Sequence, residues 1–192
     1  YYEEYIANLG NQGTVFVTFL FNNEVYEIKE VEKGSCVTID NPQSSTYIEF
    51  NYWEINGNRI DLESTPINEN TTIMANITKW YDVKFVVDDQ DYSTLIIVEN
   101  GAISVPQNPT KSNYVFEYWT LNSVPVTSFD NLFVNSNMIF TAKFTRTYEV
   151  TFVIRYLNEN NELQSEYEKQ SVKENGIAAV PTITSSEKLV FK

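Results

Sequence analysis

Four short sequence markers recur along this chain in one order and at nearly one spacing. The longest is a block that runs from a proline into an aromatic cluster and ends in tryptophan. It reads NPQSSTYIEFNYW at 41–53 and NPTKSNYVFEYW at 108–119, and its copies end at Trp53 and Trp119. Several markers that recur in a fixed order at one period indicate a tandem repeat, so the chain is expected to fold as a series of similar units.

The other three markers are an opening strand of alternating residues, a Val-acidic-x-Gly turn and a closing strand. In each of these markers, the first two copies are separated by as many residues as Trp53 and Trp119 are, or by one residue more. The opening strands are at 15–19, 81–85 and 148–152, the turns at 31–34, 98–101 and, more loosely, 172–176, and the closing strands at 72–77 and 139–144.

These spacings predict two complete units, at 15–78 and 79–145. Residues 146–192 contain the opening strand and the turn of a third unit, separated by a longer insertion at 158–171. This partial unit 3 stops short of the tryptophan, and we expect it to be truncated. Residues 1–14 are predicted to be the tail of a preceding unit followed by a linker.

Each unit is predicted to be mostly β, or α+β with at most one short helix. Val, Ile, Thr, Phe and Tyr alternate with polar residues over short runs, and clusters of Asn, Gly, Pro and Asp separate these runs. In VKFVVDD, for example, Val83, Phe85 and Val87 share one face of a strand. The segments 59–67 and 124–133 are candidates for a short helical turn. The hydrophobic content of 42% favours a folded chain over a disordered one.

Taken together, the markers resemble the internalin B-repeat family, also called the Listeria–Bacteroides repeat. That family joins an opening strand, a Val-x-x-Gly turn, a block from proline to tryptophan and a closing strand. The matching residues of unit 2 are Val98, Gly101, Pro106, Pro109, Thr110, Lys111, Tyr114, Phe116, Trp119, Ala142 and Phe144, and those of unit 1 are Val31, Gly34, Pro42, Tyr47, Phe50, Trp53, Ala75 and Ile77. The resemblance implies ubiquitin-like β-grasp units in tandem on bacterial surface proteins, where they act as spacers or in adhesion.

The two units depart from the family pattern at the turn before the motif tyrosine. The family has Gly there, whereas this chain has Asn113 in unit 2 and Thr46 in unit 1. Asn tolerates a left-handed backbone and Thr does so poorly, so we expect the two turns to differ in geometry. Unit 1 also has Ile39 where unit 2 has the first motif proline, Pro106.

Two interpretations compete for the aromatic block, a hydrophobic core and a platform for sugars. Aligned by residue type, Tyr47 matches Tyr114, Phe50 matches Phe116 and Trp53 matches Trp119. Recurrence in each copy favours the core, because the fold is what the copies share. The predicted structural core motif is Tyr47, Phe50, Trp53, Tyr114, Phe116 and Trp119.

Trp80 is the one tryptophan that does not recur, since Thr147 occupies the matching position. It lies between the closing strand of unit 1 and the opening strand of unit 2. We therefore predict that it contacts the neighbouring unit, with core burial and an exposed ligand contact as the alternatives. The flanking segments 78–80 and 145–147 are interpreted as short linkers that keep successive units semi-rigid.

Charge and composition exclude several classes of function. With 26 acidic and 13 basic residues the net charge is −13, which disfavours nucleic acid and anionic membrane as partners. The chain has no histidine, which removes the usual general base and the commonest metal ligand. We predict no catalytic residue, no cofactor and no metal site. Glycoside hydrolysis by a carboxylate pair needs no histidine, but 26 acids make such a pair uninformative.

Three smaller features each have two interpretations. The acid cluster at 88–91, DDQD, is either a solvated hairpin turn or a calcium site, and it lacks the spacing of an EF-hand. Cys36, the single cysteine, aligns with the apolar Ile103 and is predicted to pack as a small apolar residue or to end a strand. A Lys–Asn isopeptide bond is a further option that needs a buried acid beside both residues.

The sequence therefore predicts a non-enzymatic, extracellular segment of a bacterial cell-surface or wall-anchored protein. Its units are expected to act as a semi-rigid spacer or stalk and in adhesion. The expected partners are neighbouring repeats of the same chain and an unknown host or bacterial surface protein or glycan, with neither nucleic acid nor membrane. The alternative is an adhesin module that binds protein or glycan through exposed aromatic residues on a sheet face or edge.

Overall fold

A computed structural model describes residues 13–158 and 160–182 of the chain. These residues form ten β-strands and no helix, which confirms the mostly-β prediction. Among them there is also no helix of the length and apolarity needed to cross a membrane. The strands are β1 (Thr14–Phe21), β2 (Glu24–Glu32), β3 (Ile48–Ile55), β4 (Asn58–Arg59), β5 (Thr71–Val87), β6 (Gln90–Val98), β7 (Tyr114–Leu121), β8 (Val124–Pro125), β9 (Met138–Leu157) and β10 (Leu163–Lys173).

Neither segment proposed for a short helical turn, 59–67 or 124–133, is helical. In the first, the backbone oxygen of Asp61 accepts a hydrogen bond from the Thr65 hydroxyl at 2.6 Å, which closes a single turn. Pro66 follows directly and disfavours helical backbone at Thr65. The two segments are therefore turns and loops, apart from Arg59 of β4 and Val124–Pro125 of β8.

The chain divides into two compact units. Of the described residues, the first unit contains 13–82 together with Ile96–Ile103 and Phe133–Asn137. The second contains Val83–Leu95, Ser104–Leu132 and residues 138–158 and 160–182. The repeat boundaries proposed from the sequence stay predictions.

In the first compact unit, β1 and β2 form an antiparallel hairpin. The strand β1 also pairs in parallel with the beginning of β5, from Val17 opposite Thr71 to Leu20 opposite Met74. On its other side β5 pairs antiparallel with β3, and β3 forms a short hairpin with β4. The strand order is therefore β2-β1-β5-β3, with a parallel pair at the centre.

In the second compact unit, the end of β5 pairs in parallel with the beginning of β9, where Val83 lies opposite Met138. The strand β9 pairs antiparallel with β7, which forms a short hairpin with β8. Because β6 pairs with β5, the order β6-β5-β9-β7 repeats that of the first unit. The rest of β9 pairs with β10 as far as Thr147 opposite Lys173.

Most tight hairpins close through two residues with positive φ. Asn22 and Asn23 have φ of 52° and 65° between β1 and β2, and Asn56 has 49° between β3 and β4. Positive φ at both central positions defines a type I′ turn, whose twist matches the twist of paired strands. Asn adopts this backbone more readily than most residues, which explains why Asn is frequent at these positions.

A hydrophobic core fills each unit. In the first, Val17, Phe19 and Ile73 are fully buried, and Trp53 is 4% exposed. Partly buried side chains pack around this cluster, among them Phe50 and Ala75. In the second unit the fully buried residues are Val83, Phe85 and Phe140, and Trp119 is 3% exposed. Val17 with Val83 and Phe19 with Phe85 are related by the same interval as the two tryptophans, so the repeat seen in the sequence is also a repeat in burial.

An asparagine side chain forms the same hydrogen bond at the opening strand of each repeat. The side-chain oxygen of Asn70 accepts a hydrogen bond from the backbone N–H of Phe16 at 2.9 Å. The side-chain oxygen of Asn137 accepts one from the N–H of Asp82, also at 2.9 Å. Each Asn lies just before a closing strand, so it satisfies a backbone donor that would otherwise lack a partner.

The segments interpreted as linkers lie inside strands. Residues 78–80 belong to β5, where Lys79 pairs with Ile48 of β3. Residues 145–147 belong to β9, where Thr147 pairs with Lys173 of β10. Backbone pairing continues through both segments, so the prediction of separate linkers was wrong.

The strand register corrects the alignment of the aromatic block. Ile48 lies opposite Lys79 in β5, and Tyr114 lies opposite Arg146, the equivalent position of β9. The counterpart of Tyr114 is therefore Ile48, at the same interval that relates the Phe and Trp positions. The extra residue of the first block precedes Ile48, so Tyr47 takes the place of Asn113.

Cys36 was also matched to the wrong position. Its side chain is exposed, whereas the next residue, Val37, is 3% exposed and joins the core. Ile103 of the second copy is 8% exposed. Val37 thus has the burial expected of Cys36, because the loop after the Gly turn is shifted by one residue.

Candidate functional site

The aromatic block contributes its Phe and Trp side chains to the interior. The Trp53 ring packs against Phe19 with centroids 5.0 Å apart, and Trp119 packs against Phe85 at 4.9 Å. Phe50 lies 5.1 Å from Trp53 in the same cluster, in the position that Phe116 has beside Trp119 at 5.3 Å. These contacts are those of a core and leave no flat indole face for a ligand.

The two motif tyrosines lie at the surface. Tyr47 is 42% exposed and Tyr114 is 36% exposed. The Tyr47 hydroxyl bonds to the carboxylate of Asp82 at 3.1 Å, and the ammonium of Lys111 lies 4.6 Å from the centroid of the Tyr114 ring. The burial expected for these tyrosines is not observed, because Tyr47 lies in the bend before β3 and Tyr114 is the first residue of β7.

Sequence reasoning missed a second pair of tyrosines that pack on the tryptophans. Tyr26 lies 6.2 Å from Trp53, and Tyr92 lies 6.1 Å from Trp119. Each hydroxyl donates to a backbone oxygen of the loop that precedes the aromatic block, that of Asp40 at 3.3 Å for Tyr26 and that of Gln107 at 3.0 Å for Tyr92. Tyr26 and Tyr92 are separated by the same interval as the two tryptophans, and this spacing could have revealed them.

Two open grooves in the surface of the first unit share Trp80. The Trp80 backbone N–H donates to the carbonyl oxygen of Tyr47 at 2.9 Å, and the side chain is partly exposed. Groove A, about 420 Å³, is lined by Ser44, Ser45, Thr46, Glu49, Trp80 and Ile96. Groove B, about 430 Å³, is lined by Asn22, Tyr47, Ile48, Lys79, Trp80, Tyr81, Asp82 and Asn137. The expected contact of Trp80 with a neighbouring repeat stays a prediction.

Groove B contains a tyrosine with a perturbed pKa. Burial raises the pKa of Tyr81 above its ordinary value, and the negative charge of Glu99 raises it further. The Tyr81 hydroxyl donates to the Glu99 carboxylate at 3.2 Å. Tyr81 is therefore a hydrogen-bond donor across the physiological pH range, and its geometry provides no nucleophile.

A β-bulge in each unit directs one polar side chain toward the closing strand. The register shifts between Phe50 and Tyr52 in β3, and the same shift in β7 falls at Glu117. The extra residue in β3 is Asn51, whose amide donates to the Thr78 hydroxyl at 3.0 Å. Bulges of this kind re-aim a side chain without ending the pairing of the strands.

At the bulge of the second unit the side chain is charged. Glu117 forms an ion pair with Lys173, whose ammonium lies 2.7 Å from a carboxylate oxygen. The hydrogen bond from Lys173 lowers the pKa of Glu117, burial opposes this effect, and a hydrogen bond with Thr145 adds to the lowering. Thr145 follows Thr78 at the interval that relates Ala75 to Ala142, so the two bulges point at equivalent threonines.

The acid cluster at 88–91 forms the hairpin between β5 and β6. Asp88 and Asp89 have φ of 48° and 61°, which confirms the prediction of a turn. Lys111 lies 2.6 Å from the Asp88 carboxylate, and Lys84 lies 3.5 Å from that of Asp91. Within the described ranges, no group of three or more acidic or cysteine side chains is arranged to hold a metal ion.

Comparison with known families identifies the second repeat. Residues 81–143 match the family model described as the Listeria-Bacteroides repeat domain. No curated protein matches the chain. The matched range begins with the opening strand that contains Val83 and Phe85 and ends in the closing strand after Ala142, so it contains the first three markers and all but the last residue of the fourth. This repeat domain is typical of bacterial surface proteins. The family resemblance inferred from the four markers is thus confirmed over residues 81–143, which are similar to the Listeria-Bacteroides repeat domain.

Proposed function

We propose that the chain is a non-enzymatic, extracellular repeat segment of a bacterial surface protein, attached to the cell wall through its parent protein. In this role it acts as a semi-rigid spacer or stalk and holds other domains away from the surface. It needs no cofactor, and its nearest partners are neighbouring repeats of the same chain.

The observation that carries this proposal is the pairing of the backbone at 78–80 and 145–147. These residues continue β5 and β9, and Lys79 and Thr147 each have a paired neighbour across the sheet. A spacer needs ordered backbone between its repeats, because a flexible coil shortens toward its random dimensions. The paired strands supply ordered backbone at residues 78–80 and 145–147.

A β-grasp arrangement of each repeat fits the same proposal. The order β2-β1-β5-β3, with a hairpin followed by a central parallel pair, is the strand order expected for that fold. The segment between β2 and β3, where a β-grasp domain has its helix, is instead an extended loop that contributes Val37 to the core. We propose a β-grasp variant without the helix.

Amide hydrogen exchange tests the spacer. We expect the amides of Trp80 and Thr147, which donate to Tyr47 and Asn113 at 2.9 Å and 2.7 Å, to exchange as slowly as the central amides of β5 and β9. Val180, which is 82% exposed and lies outside the strands, is the fast-exchanging reference. Exchange at 78–80 and 145–147 at the rate of this reference would contradict an ordered stalk.

Adhesion is the second candidate, and exposed aromatic side chains favour it. Phe133 is 59% exposed and Tyr167 is 68% exposed, and aromatic residues of this kind are enriched in protein interfaces. Beads coated with the chain should adhere to bacterial or host cells if the segment is an adhesin. Equal adhesion of beads coated with an unrelated acidic protein would contradict it.

A further inference from the structure

Trp80 is not required by the fold that the repeats share. The second repeat has Thr147 at the equivalent strand position, and this strand forms the same pairs. Trp53 and Trp119, in contrast, recur and are buried. A large aromatic side chain that is partly exposed and dispensable for folding is an informative feature of a surface, since such rings commonly anchor ligands.

Groove A supplies donors and an acceptor beside the Trp80 ring. The Ser44 hydroxyl oxygen accepts the backbone N–H of Phe50 at 3.1 Å, and that of Ser45 accepts the N–H of Ile48 at 3.2 Å. A serine hydroxyl has one proton to donate in addition to its lone pairs, so both side chains can still offer O–H groups to a ligand. The exposed carboxylate of Glu49 lies in the same groove as an acceptor.

Groove B also places hydrogen-bonding groups beside an aromatic ring, and its residues other than Trp80 are different from those of groove A. The Tyr47 hydroxyl donates to Asp82, which fixes the Tyr47 ring at the groove wall. The Asn137 oxygen accepts the Asp82 backbone N–H at 2.9 Å, so its amide N–H₂ group points elsewhere as a donor. Lys79 adds a further donor to the lining.

This combination fits one ligand class. A sugar ring has an apolar face of C–H groups, which an aromatic ring can cover, and a rim of hydroxyls that both donate and accept. Trp80 and Tyr47 offer ring surface, while the serines, Asn137, Glu49 and Asp82 offer the polar partners. We infer that Trp80 with grooves A and B forms a binding site for a neutral oligosaccharide.

Charge and shape decide against other ligands. Two carboxylates line the grooves against one lysine, and the chain carries a net charge of −13, so a polyanionic glycan is repelled. A quaternary ammonium ligand is held by aromatic faces that enclose it on several sides. Grooves A and B are open, which suits a linear chain of sugar rings.

The site deepens the adhesion role proposed above, and the spacer role stands without it. If the chain-coated beads adhere to cells but no saccharide binds, adhesion survives and the glycan site fails. If a saccharide binds but the beads do not adhere, the glycan site survives and the adhesion role fails.

Tryptophan fluorescence provides a direct assay on the whole chain. Since Trp53 and Trp119 are buried, a change in emission on adding sugar reports on Trp80. The probes are a β1,4-linked N-acetylglucosamine hexamer, which represents bacterial wall glycan, and a neutral N-acetyllactosamine hexasaccharide, which represents host glycan. A heparin hexasaccharide and choline are the charged comparisons. We expect saturable binding of one neutral probe and none of heparin or choline.

Variants then locate the binding. Trp80→Thr introduces the residue that the second repeat has at this position, and calorimetry should show binding weakened by about tenfold or more, a loss of about 1.4 kcal/mol or greater. Glu49→Gln should weaken binding by a smaller factor, because it keeps the shape and removes only the charge. Tyr118→Thr, which removes a 38% exposed aromatic of the second unit, is the matched control and should bind as the parent chain does.

Two results would overturn the site. One is unchanged affinity of Trp80→Thr for a neutral probe while its thermal transition stays that of the parent chain. The other is preferential binding of heparin or choline, which would mean that the grooves select charge. A loss of affinity in Trp80→Thr that accompanies unfolding is resolved by Glu49→Gln, because Glu49 is exposed on the groove rim.

Discussion

Trp53 donates a hydrogen bond from its indole nitrogen to the side-chain oxygen of Asn41, 3.2 Å away. Trp119 is the equivalent residue of the second unit, and within the described residues its buried indole nitrogen has no hydrogen-bond acceptor. The sequence nevertheless has Asn108 at the position that corresponds to Asn41. Two cores built on equivalent tryptophans thus differ in this hydrogen bond.

This difference predicts unequal effects of one substitution in the two units. Asn41→Ala should lower the free energy of unfolding of the first unit by about 1–3 kcal/mol, because it leaves a buried donor unpaired. Asn108→Ala should change that of the second unit by no more than about 0.5 kcal/mol. Urea unfolding followed by NMR of each unit measures both, and equal losses would mean that Asn108 binds Trp119 in solution.

Trp119→Ala is expected to unfold the second unit. It removes the ring that packs on Phe85 and Phe116, and large-to-small changes at buried aromatic positions cost about 3–5 kcal/mol. The first unit should keep the native chemical shifts of Val17 and Phe19. Trp80→Ala, at a partly exposed ring, is the control and should cost much less. A second unit that stays folded and is impaired only in ligand binding would refute the core assignment of Trp119.

The ion pair between Glu117 and Lys173 predicts a pH dependence confined to the second unit. The pKa of Glu117 is lowered on folding, so its contribution to stability is present above the ordinary carboxyl pKa and is lost as pH falls through the lowered value. Lys173→Met should raise the pKa of Glu117 toward its ordinary value, which carboxyl NMR measures directly.

The same strand offers a control for this pair. Lys169→Met removes an ion pair with Glu149 in which both side chains are more than half exposed, and it should leave the titration of Glu117 unchanged. If both variants shift the pKa of Glu117 equally, a general effect of charge explains why this pKa is lowered, and the contact with Lys173 does not.

The turn at Asn113 predicts a local preference for residues that tolerate a left-handed backbone. Asn113 has φ of 61°, whereas neither Thr46 nor Tyr47 is among the residues with positive φ. Asn113→Ala should therefore cost about 1 kcal/mol, and Asn113→Gly should be nearly neutral. Thermal unfolding provides the comparison, with Thr46→Ala, in the turn before the first aromatic block's strand, as the control in the first unit. A similar loss from both Ala variants would contradict the difference in geometry.

The sequence predicted the parts of this fold that depend on local pattern. The alternation in VKFVVDD placed Val83 and Phe85 on one face, and both are fully buried. The different turns at Asn113 and Thr46 were also expected, because left-handed backbone restricts the residue type. The hairpin at Asp88 and Asp89 followed from turn chemistry alone.

Features that depend on pairing between distant strands were not predictable in the same way. Alignment by residue type matched Tyr47 to Tyr114, and only the opposing residues Lys79 and Arg146 show that Ile48 is the counterpart. The exposure of Cys36 has the same origin, since a shift of one residue in a loop changes which side chain enters the core. The grooves at Trp80 arise from segments far apart in sequence, and no local pattern describes them.

The bulge at Asn51 and Glu117 has a consequence for how a duplicated chain diverges. The backbone alone aims this residue at the closing strand, so the side chain can differ between copies while every strand pair is kept. In the first copy it joins Asn76 and Thr78 through its amide, and in the second it carries a charge that binds Lys173. A gene that multiplies such a repeat gains in each copy one adjustable position at which neighbouring copies can become chemically distinct.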